Sequence, residues 1–571
     1  MVRVVPDVAA IEKEFDYVVP ASWDDGRSDR LVVGSMVRVP LAGRRVAGWI
    51  TAVDVDPEPG VKLAELSKLS GIGPDADMLA LAEWAAWRWA GRRVALLRAA
   101  SPERMVAAAA IAPRAAPVPD GPRDVFDEAF DLGVATVRVA PSDDGIAVAL
   151  AACRRGAALI VVADAGRARR LAVALRRAGQ RVALGGDDWA IAAGGATVVG
   201  SRSAVWLPMP DLRAVVVIDE HDSRLKEERT PAWNARDVAI ERARRSQAPV
   251  VLVSPVPSLE ALTSGRLLRQ PRSTERDGWP MIDVHDRRDD DPVRAGLFGE
   301  RLGPLLAGRD RIVCVLNRKG RARLLACSAC GELARSEDGA TTMVLVEDHL
   351  QTPDGLERRP VVCAHCGSTT LKNLRLGVER AREELAALVG EAVDEVTATT
   401  TEAPSSRVII GTEAVLHRVD RADIVVFLDF DHELLSTRQR AAEQALGLVA
   451  HGARLTGGRG DGGRIVIQTR QPDHEVINAA VLGDPSIVAI AERDRRRALS
   501  LPPYGAQVSV SGAGGAEFIA ALPSSDSFDV RGPIDGQWLL RGEALEPILD
   551  VLANTTRPAA RVRIEVDPLR V

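Results

Sequence analysis

Lysine is scarce in this chain of 571 residues, occurring only at Lys13, Lys62, Lys68, Lys226, Lys319 and Lys372. None follows a glycine that opens a helix, and no G-x-x-x-x-G-K-[ST] stretch exists. That absence argues against the loop whose amides and lysine hold nucleotide phosphates in motor proteins. Arginine stands where lysine is usual, a bias that fits a GC-rich genome rather than a site. Aromatic residues make up 4%, with Tyr17 and Tyr504 the only tyrosines, so the cores must be built from alanine, valine and leucine. No apolar run approaches the roughly 20 residues that span a bilayer. The nearest, residues 105–112, stops at Pro113, and no membrane association is expected. The first residues include Arg3, Asp7, Glu12, Lys13 and Glu14, unlike a secretion signal. A cytoplasmic location is therefore expected, with thiols kept reduced.

The composition is that of a globular protein, 46% hydrophobic and 27% charged with a net charge of −5. Single cores seldom grow past roughly 250–300 residues, so several domains are expected. A nucleic-acid binder with this balance needs a local basic surface. Arg301, Arg309, Arg311, Arg318, Lys319, Arg321 and Arg323 crowd one stretch, and Arg493, Arg495, Arg496 and Arg497 another. Each, taken alone, reads first as a solvated face.

Residues 1–105 begin with short strand-like pieces, Tyr17-Val-Val-Pro20, Leu31-Val-Val-Gly34, Met36-Val-Arg-Val-Pro40 and Val46-Ala-Gly-Trp-Ile50, which predict a small twisted β unit. A helix over residues 78–89 follows. Residues 106–124 hold Pro113, Pro117, Pro119 and Pro122 and read as a linker. Apolar runs at 158–162, 196–199, 215–218 and 249–253 predict one parallel sheet, and those at 312–316, 408–410, 424–428 and 465–467 a second. A cysteine-bearing insertion separates the strands at 312 and 408, and an α+β unit is expected after Pro502-Pro503.

The run Val215-Val-Val-Ile218 ends on Asp219, Glu220, His221 and Asp222. Four consecutive apolar residues suit a strand covered on both faces. Carboxylates at its end lie where open α/β sheets place ligands. In a motor they would hold magnesium, but here the phosphate loop they serve is missing.

Cys327-Ser-Ala-Cys330 and Cys363-Ala-His-Cys366 form two C-x-x-C knuckles. Two residues between cysteines let both thiolates reach one tetrahedral ion, and two knuckles complete a Cys₄ zinc site. Four sulfurs close such a site, so one structural Zn²⁺ is expected, with His349 and His365 outside it. Cys153 and Cys314 read as core packing.

Several phrases, in order along the chain, resemble the primosomal replication-restart (PriA) family. Phe15-Asp-Tyr17 and Val37-Arg-Val-Pro40 resemble its 3′-end-binding domain, Gly200-Ser-Arg-Ser-Ala204 its G-T-R-S-A, and residues 218–222 its D-E-E-H-D. Ala235-Arg-Asp237, Val253-Ser-Pro-Val-Pro-Ser258, Leu316-Asn-Arg-Lys-Gly320, Gly377-Val-Glu-Arg380, Gly411-Thr-Glu413, Ile467-Gln-Thr469, Leu501-Pro-Pro503 and Val566-Asp-Pro568 continue the series. The resemblance is to a form with degenerate helicase motifs, as in high-GC Gram-positive bacteria. The family's G-x-T-G-S-G-K-T falls near residues 140–145, where Asp143 and Asp144 replace the Gly-Lys. The first aspartate of D-E-E-H falls on Ile218, and the arginines of Q-V-x-G-R-A-G-R on Gly452 and Leu455. The family carries two zinc sites; four cysteines in knuckles imply one here.

The resemblance implies two RecA-like helicase lobes with a zinc-binding insertion, an N-terminal β domain that binds 3′ ends, and a C-terminal α+β domain. The implied boundaries are 1–105, a linker at 106–124, lobe 1 at 125–266, lobe 2 at 267–326 and 371–485, the insertion at 327–370, and 486–571. Phe15 would stack on the terminal base and Asp16 accept from the 3′-hydroxyl. Ala42 stands where the family has glycine, and a basic partner would come from near Lys68. The implied partners are branched, forked and single-stranded DNA, single-strand-binding protein, and the replicative helicase or its loader. The expected function is replication restart without helicase activity, with no catalytic residue and no use of ATP, and Asp219, Glu220 and His221 as remnants. Two alternatives are an active ATP-dependent 3′-to-5′ helicase and a zinc-ribbon adaptor.

Overall fold

The computed structural model describes the chain apart from residues 10, 24–25, 58–62, 111–117, 119–122, 291–295, 318–324, 331, 338–342, 347–348, 353–356, 374–377, 437 and 570–571. It divides into two compact units. The first holds residues 1–139, 144–270 and 492–571, and the second residues 140–143 and 271–491.

The first unit opens with β1 (Val2–Pro6), β2 (Phe15–Tyr17), β3 (Met36–Leu41), β4 (Arg44–Val53) and β5 (Lys68–Gly71), an antiparallel sheet in the order β2-β1-β4-β3-β5. Strict alternation in β3 buries Val37 and Val39 and exposes Arg38 and Pro40. A bridge between Val18 and Glu65 ties the two edges together. The β3–β4 turn sets Ala42 at φ +48° and Gly43 at φ +75°, the two-residue hairpin geometry that suits twisted strands. Residues 31–34, expected as a strand, form a turn instead. A Cβ at Gly34 would lie 1.9 Å from the Pro74 carbonyl oxygen, so only glycine lets the chain pass there. Helix Ala76–Arg88, capped by Asp75, and helix Arg93–Ala100 follow.

These helices do not stand apart from what comes next. Their Met78, Leu81, Ala85 and Leu97 share one apolar core with Val215, Val217 and Leu252 and with Val508, Leu540 and Ile564 near the C-terminus. Two buried indoles find acceptors across the seams: Trp49 donates to Ser101 Oγ at 2.8 Å and Trp189 to the Ala100 carbonyl at 2.9 Å.

Lobe 1 is an all-parallel sheet of β6 (Val134–Arg138), β7 (Ala158–Val162), β8 (Val182–Leu184), β9 (Thr197–Gly200), β10 (Ala214–Ile218), β11 (Val250–Ser254) and β12 (Arg266–Arg269), in the order β12-β6-β11-β10-β7-β9-β8. All of β10 is buried, at the centre. β12 pairs with β6, which carries the sheet past the boundary at 266.

The second unit has its own parallel sheet of β13 (Met281–Asp286), β14 (Ile312–Val315), β20 (Val393–Val396), β21 (Val408–Gly411), β22 (Ile424–Phe427) and β23 (Arg464–Thr469), in the order β13-β23-β22-β14-β21-β20. Between β14 and β20 the insertion forms two small antiparallel sheets. One pairs β15 (Leu325–Cys327) with β19 (Leu371–Asn373), and the other orders β16 (Val344–Val346), β17 (His349–Gln351) and β18 (Arg358–Pro360). The first unit closes with β24 (Ala506–Ser511), β25 (Phe528–Ile534), β26 (Gln537–Gly542) and β27 (Arg563–Val566), ordered β25-β26-β24-β27, with helices Gly515–Ala520 and Glu546–Asn554. The architecture is α/β with two parallel-sheet lobes. Among the described residues, no helix is long and apolar enough to cross a membrane.

The arginine cluster at 493–497 is not a solvated face throughout. Arg496 is 1% exposed and donates to Glu492, Glu260 and the Pro502 carbonyl. Arg497 lies over the Tyr504 ring at 4.8 Å. In the other basic stretch, residues 318–323 lie outside the described residues. Cys314 is fully buried in β14, and desolvation pushes its thiol up to about 12.

Candidate functional site

The knuckles meet because β15 and β19 pair, with Cys327 opposite Leu371. That register brings the turn after Cys327 beside the turn that contains Cys363 and Cys366. Backbone bonds shape each knuckle: Cys327 N–H donates to the Glu332 carbonyl, Gly367 N–H to the Cys363 carbonyl at 3.0 Å, and Cys363 N–H to the Ser368 carbonyl. Gly367 sits at φ +73°, a left-handed turn that glycine adopts freely. The four sulfurs all lie within 4.8 Å of one another, with Cys327 and Cys366 at 3.4 Å and Cys330 and Cys363 at 3.6 Å. Four sulfurs about 2.3 Å from one tetrahedral ion stand roughly 3.8 Å apart, so the donor set and spacing fit zinc. Among the described residues this group contains no histidine.

Without a cation the thiols differ. The Cys330 amide, with that of Ala329, draws the Cys327 thiol down to about 6. The Glu332 amide pulls on Cys330, but desolvation and the three neighbouring thiols outweigh it and hold that thiol at about 12. A divalent ion would remove this conflict by favouring all four thiolates.

At the end of β10 the carboxylates are already engaged. Asp219 takes the left-handed φ of +57°, which aspartate tolerates better than most residues. It pairs with Arg167, and both side chains are under 10% exposed. Glu220, fully buried, accepts from the Ser258 amide at 2.8 Å and the Ser258 hydroxyl at 2.7 Å, with Arg236 Nη1 at 3.4 Å. Burial pushes the Glu220 carboxyl up, and Arg236 and Ser258 oppose that push. Ser254 Oγ lies 2.7 Å from His221 Nδ1, and Arg224 brackets Asp222.

The helix that would face a triphosphate is Ile146–Arg155, with Gly145 at its N-cap. The Ile146 amide, one of the donors a phosphate would use, donates instead to Asp144 Oδ1 at 2.8 Å. A Cβ on Gly145 would lie 2.8 Å from Ile218 Cδ1 and 3.4 Å from Arg167 Nη2. Ile218, at the first position of the acidic motif, therefore fills space beside the loop. In the second unit, helix Ala441–Thr456 turns Gly452 into the sheet, where a Cβ would meet Phe427 and Val425 at 3.3 Å. Leu455 is buried too. The one arginine in that segment, Arg454, donates to the Pro141 carbonyl at 3.2 Å.

In the N-terminal sheet, Phe15 and Asp16 sit together on β2. Arg3 on β1 faces Asp16 and donates from Nε at 2.8 Å and Nη2 at 3.2 Å. The cation observed beside Asp16 is Arg3, and Lys68 lies opposite Arg38 on β3. Each carboxylate oxygen keeps a second lone pair. Sequence reasoning missed Arg3, Arg167 and the bond from the Ile146 amide to Asp144. Only Arg236 lay within a quoted motif.

A family model for the 3′ DNA-binding domain (3′BD) of PriA matches residues 3–102. A probable replication restart protein PriA of Mycobacterium leprae is 28% identical over 595 residues, covering 92% of this chain and 90% of that protein. The replication restart protein PriA of Bacillus subtilis is 26% identical over 339 residues, covering 54% of this chain and 42% of its own length. The Haemophilus influenzae protein is 25% identical, and 47% of it is covered. The chain thus matches under half the length of these last two. The Escherichia coli helicase HrpB superposes with a TM-score of 0.33 and 13% identity over 62% of this chain and 43% of that one, too distant to bear on the fold. The family-model match at the N-terminus and the near full-length likeness to the mycobacterial protein agree with the ordered motifs: the chain is similar to the replication restart protein PriA, through its 3′ DNA-binding domain and over most of its length.

Proposed function

We propose that this protein binds stalled or branched replication forks through an exposed 3′ end and promotes reloading of the replicative helicase, without hydrolysing ATP or unwinding DNA itself. The protein acts in the cytoplasm and carries one zinc ion, held by Cys327, Cys330, Cys363 and Cys366. The observation that carries the loss of motor activity is the self-sealed strand end. Asp144 occupies the Ile146 amide at the start of helix Ile146–Arg155, and Arg167 is committed to Asp219; in the second unit, by itself, Gly452 is packed against its own sheet. A nucleotide motor needs free amides and a lysine at the phosphates and arginines on the leaving γ-phosphate, and loss of one such arginine costs about 10³–10⁵ in rate. Purified protein is expected to release no phosphate from ATP above background, with or without forked DNA. Phosphate release that rises with fork concentration and co-elutes with the protein would restore the active-helicase reading.

The 3′-end reading is supported by the match over residues 3–102 and by Phe15 and Asp16 on one strand. A charged hydrogen bond to the hydroxyl is worth about 1.5–3 kcal/mol. Forks with a free 3′-hydroxyl are then expected to bind roughly tenfold to a hundredfold tighter than forks with a blocked end. Asp16→Ala should erase that preference and leave general DNA affinity. The Arg3–Asp16 pair is partly exposed, and such pairs contribute about 0.2–1 kcal/mol, so the variant should fold. Equal binding of free and blocked ends by the wild-type protein would refute the pocket.

A further inference from the structure

In the first unit, an open cavity of about 390 Å³ lies where three segments meet: the start of helix Arg93–Ala100, residues 230–231, and the loop 557–562 before β27. Arg92, Arg98, Arg557 and Arg561 line it, and among the described residues no carboxylate does. The rest of the lining is small and mostly apolar. Two of these guanidiniums are fixed by backbone carbonyls, which orient a cation without neutralising it: Arg92 donates to Ala9 and Arg557 to Ala90. Arg98 pairs with Asp7. Burial draws the Arg557 pKa down, Glu12 partly offsets this, and the like charge of Arg92 adds to it. Asp7 and Glu12 offset part of this charge, and an anion entering the cavity would meet guanidinium donors of Arg92, Arg557 and Arg561.

We infer that this cavity seats a phosphodiester of a bound DNA strand, clamped between Arg92 and Arg557. Guanidiniums from two segments can grip a tetrahedral oxyanion with parallel N–H donors. The volume falls in the range of small-ligand sites, enough for a nucleotide-sized group. DNA is favoured as the source because Arg92 and Arg98 lie inside the stretch that matches a DNA-binding domain. The site would give the N-terminal domain a second hold on the strand, apart from the Asp16 pocket. Arg557 and Arg561 come from the C-terminal loop, so the hold also depends on that domain. This inference rests on the DNA-binding reading above.

The test is the salt dependence of fork binding by the full chain, because each neutralised phosphate contributes a slope of about 0.9 for duplex and 0.7 for single strands. Arg92→Ala/Arg557→Ala should weaken fork binding roughly tenfold and lower the slope by about 0.7–0.9, with the 3′-hydroxyl preference intact. Arg92→Lys/Arg557→Lys, which keeps the charge but not the fork, should restore most of the slope. Arg561→Ala, on the exposed rim, removes a cation without disturbing packing, so it tests the site even if the double variant folds poorly. Its slope should fall in the same direction. Unchanged slopes in folded variants would overturn the cavity site alone. A wild-type protein that binds no fork would sink both this inference and the function it rests on.

Discussion

Stripping the metal with a chelator is expected to release one zinc ion per chain and to open residues 327–370 to protease, while the two parallel-sheet lobes stay folded. Among the described residues the insertion's apolar cluster is small: Leu325, Ala334, Met343 and Leu350 are buried, with Leu345, Val361 and Leu371 partly covered. A segment of this size sits near the limit, about 40 residues, below which metals or disulfides usually supply the stability. The Cys₄ cluster is the largest constraint it has. Zinc binding to such preformed thiolate sets is worth about 10–16 kcal/mol near neutral pH in small peptides, far more than that core. The lobes keep their own cores, such as Leu302, Ile312, Ile410 and Val426 in the second unit, so their melting should change little. Cys363→Ser should reproduce the chelated pattern. Elemental analysis near zero or near two zinc ions per chain, or a proteolytic pattern indifferent to chelator, would contradict the assignment.

Asp219→Ala/Glu220→Ala is expected to destabilise the first unit by at least about 3 kcal/mol. In a working motor, acidic side chains at a strand end wait for magnesium, and their removal often leaves the fold unharmed or steadier. Here both are internal. Removing one partner of a buried ion pair costs about 3–5 kcal/mol, because the remaining charge stays desolvated. Asp219 faces Arg167, and Glu220 shares Ser258 and Arg236. Asp237 still pairs with Arg236 at 2.9 Å, and the two sites are neighbours, so the effects should not add. Glu220→Gln keeps an acceptor for Ser258 and should cost less than Glu220→Ala. A melting temperature unchanged in the double alanine variant would mean that these carboxylates remain an open ligand site. The side chains expected from the sequence to be idle remnants thus hold structural ion pairs.

Much of the sheet architecture was legible in the chain. Runs such as 158–162, 215–218 and 424–428 are continuous and β-branched, and a strand buried on both faces needs no alternation. The strands that escaped notice are short or carry polar residues. β6 contains Thr136 and Arg138, and β20 reads Val-Asp-Glu-Val. They become strands because neighbours in the sheet satisfy their backbone, as β6 does between β11 and β12. The stretch at 31–34 failed in the other direction. Its valines suit a strand, but the close pass of Gly34 under Pro74 imposes a turn.

The candidate site divides in the same way. Cysteine spacing is local, and two residues between thiolates suffice to predict a tetrahedral site; β15–β19 pairing then brings the two knuckles together. The missing phosphate lysine and the carboxylates of residues 143–144 are likewise plain in the sequence. What the strand-end carboxylates pair with is not. Arg167 meets Asp219 across 52 residues of chain, and Arg3 meets Asp16 through strand register. Long-range ion pairs leave no periodic trace, because their geometry comes from the packing of separate elements.

The amino-acid sequence alone therefore determined the two α/β lobes, the four-cysteine cluster and the absence of a lysine-bearing phosphate loop, all of which rest on composition and short spacing. Tertiary structure decided that the strand-end carboxylates are neutralised from within, that the N-terminal helices share a core with lobe 1 and the C-terminal sheet, and that four arginines from two distant segments surround one cavity. Each of these depends on which surfaces the apolar strands bring face to face, since burial first joins the segments and then requires every charge trapped between them to find a partner.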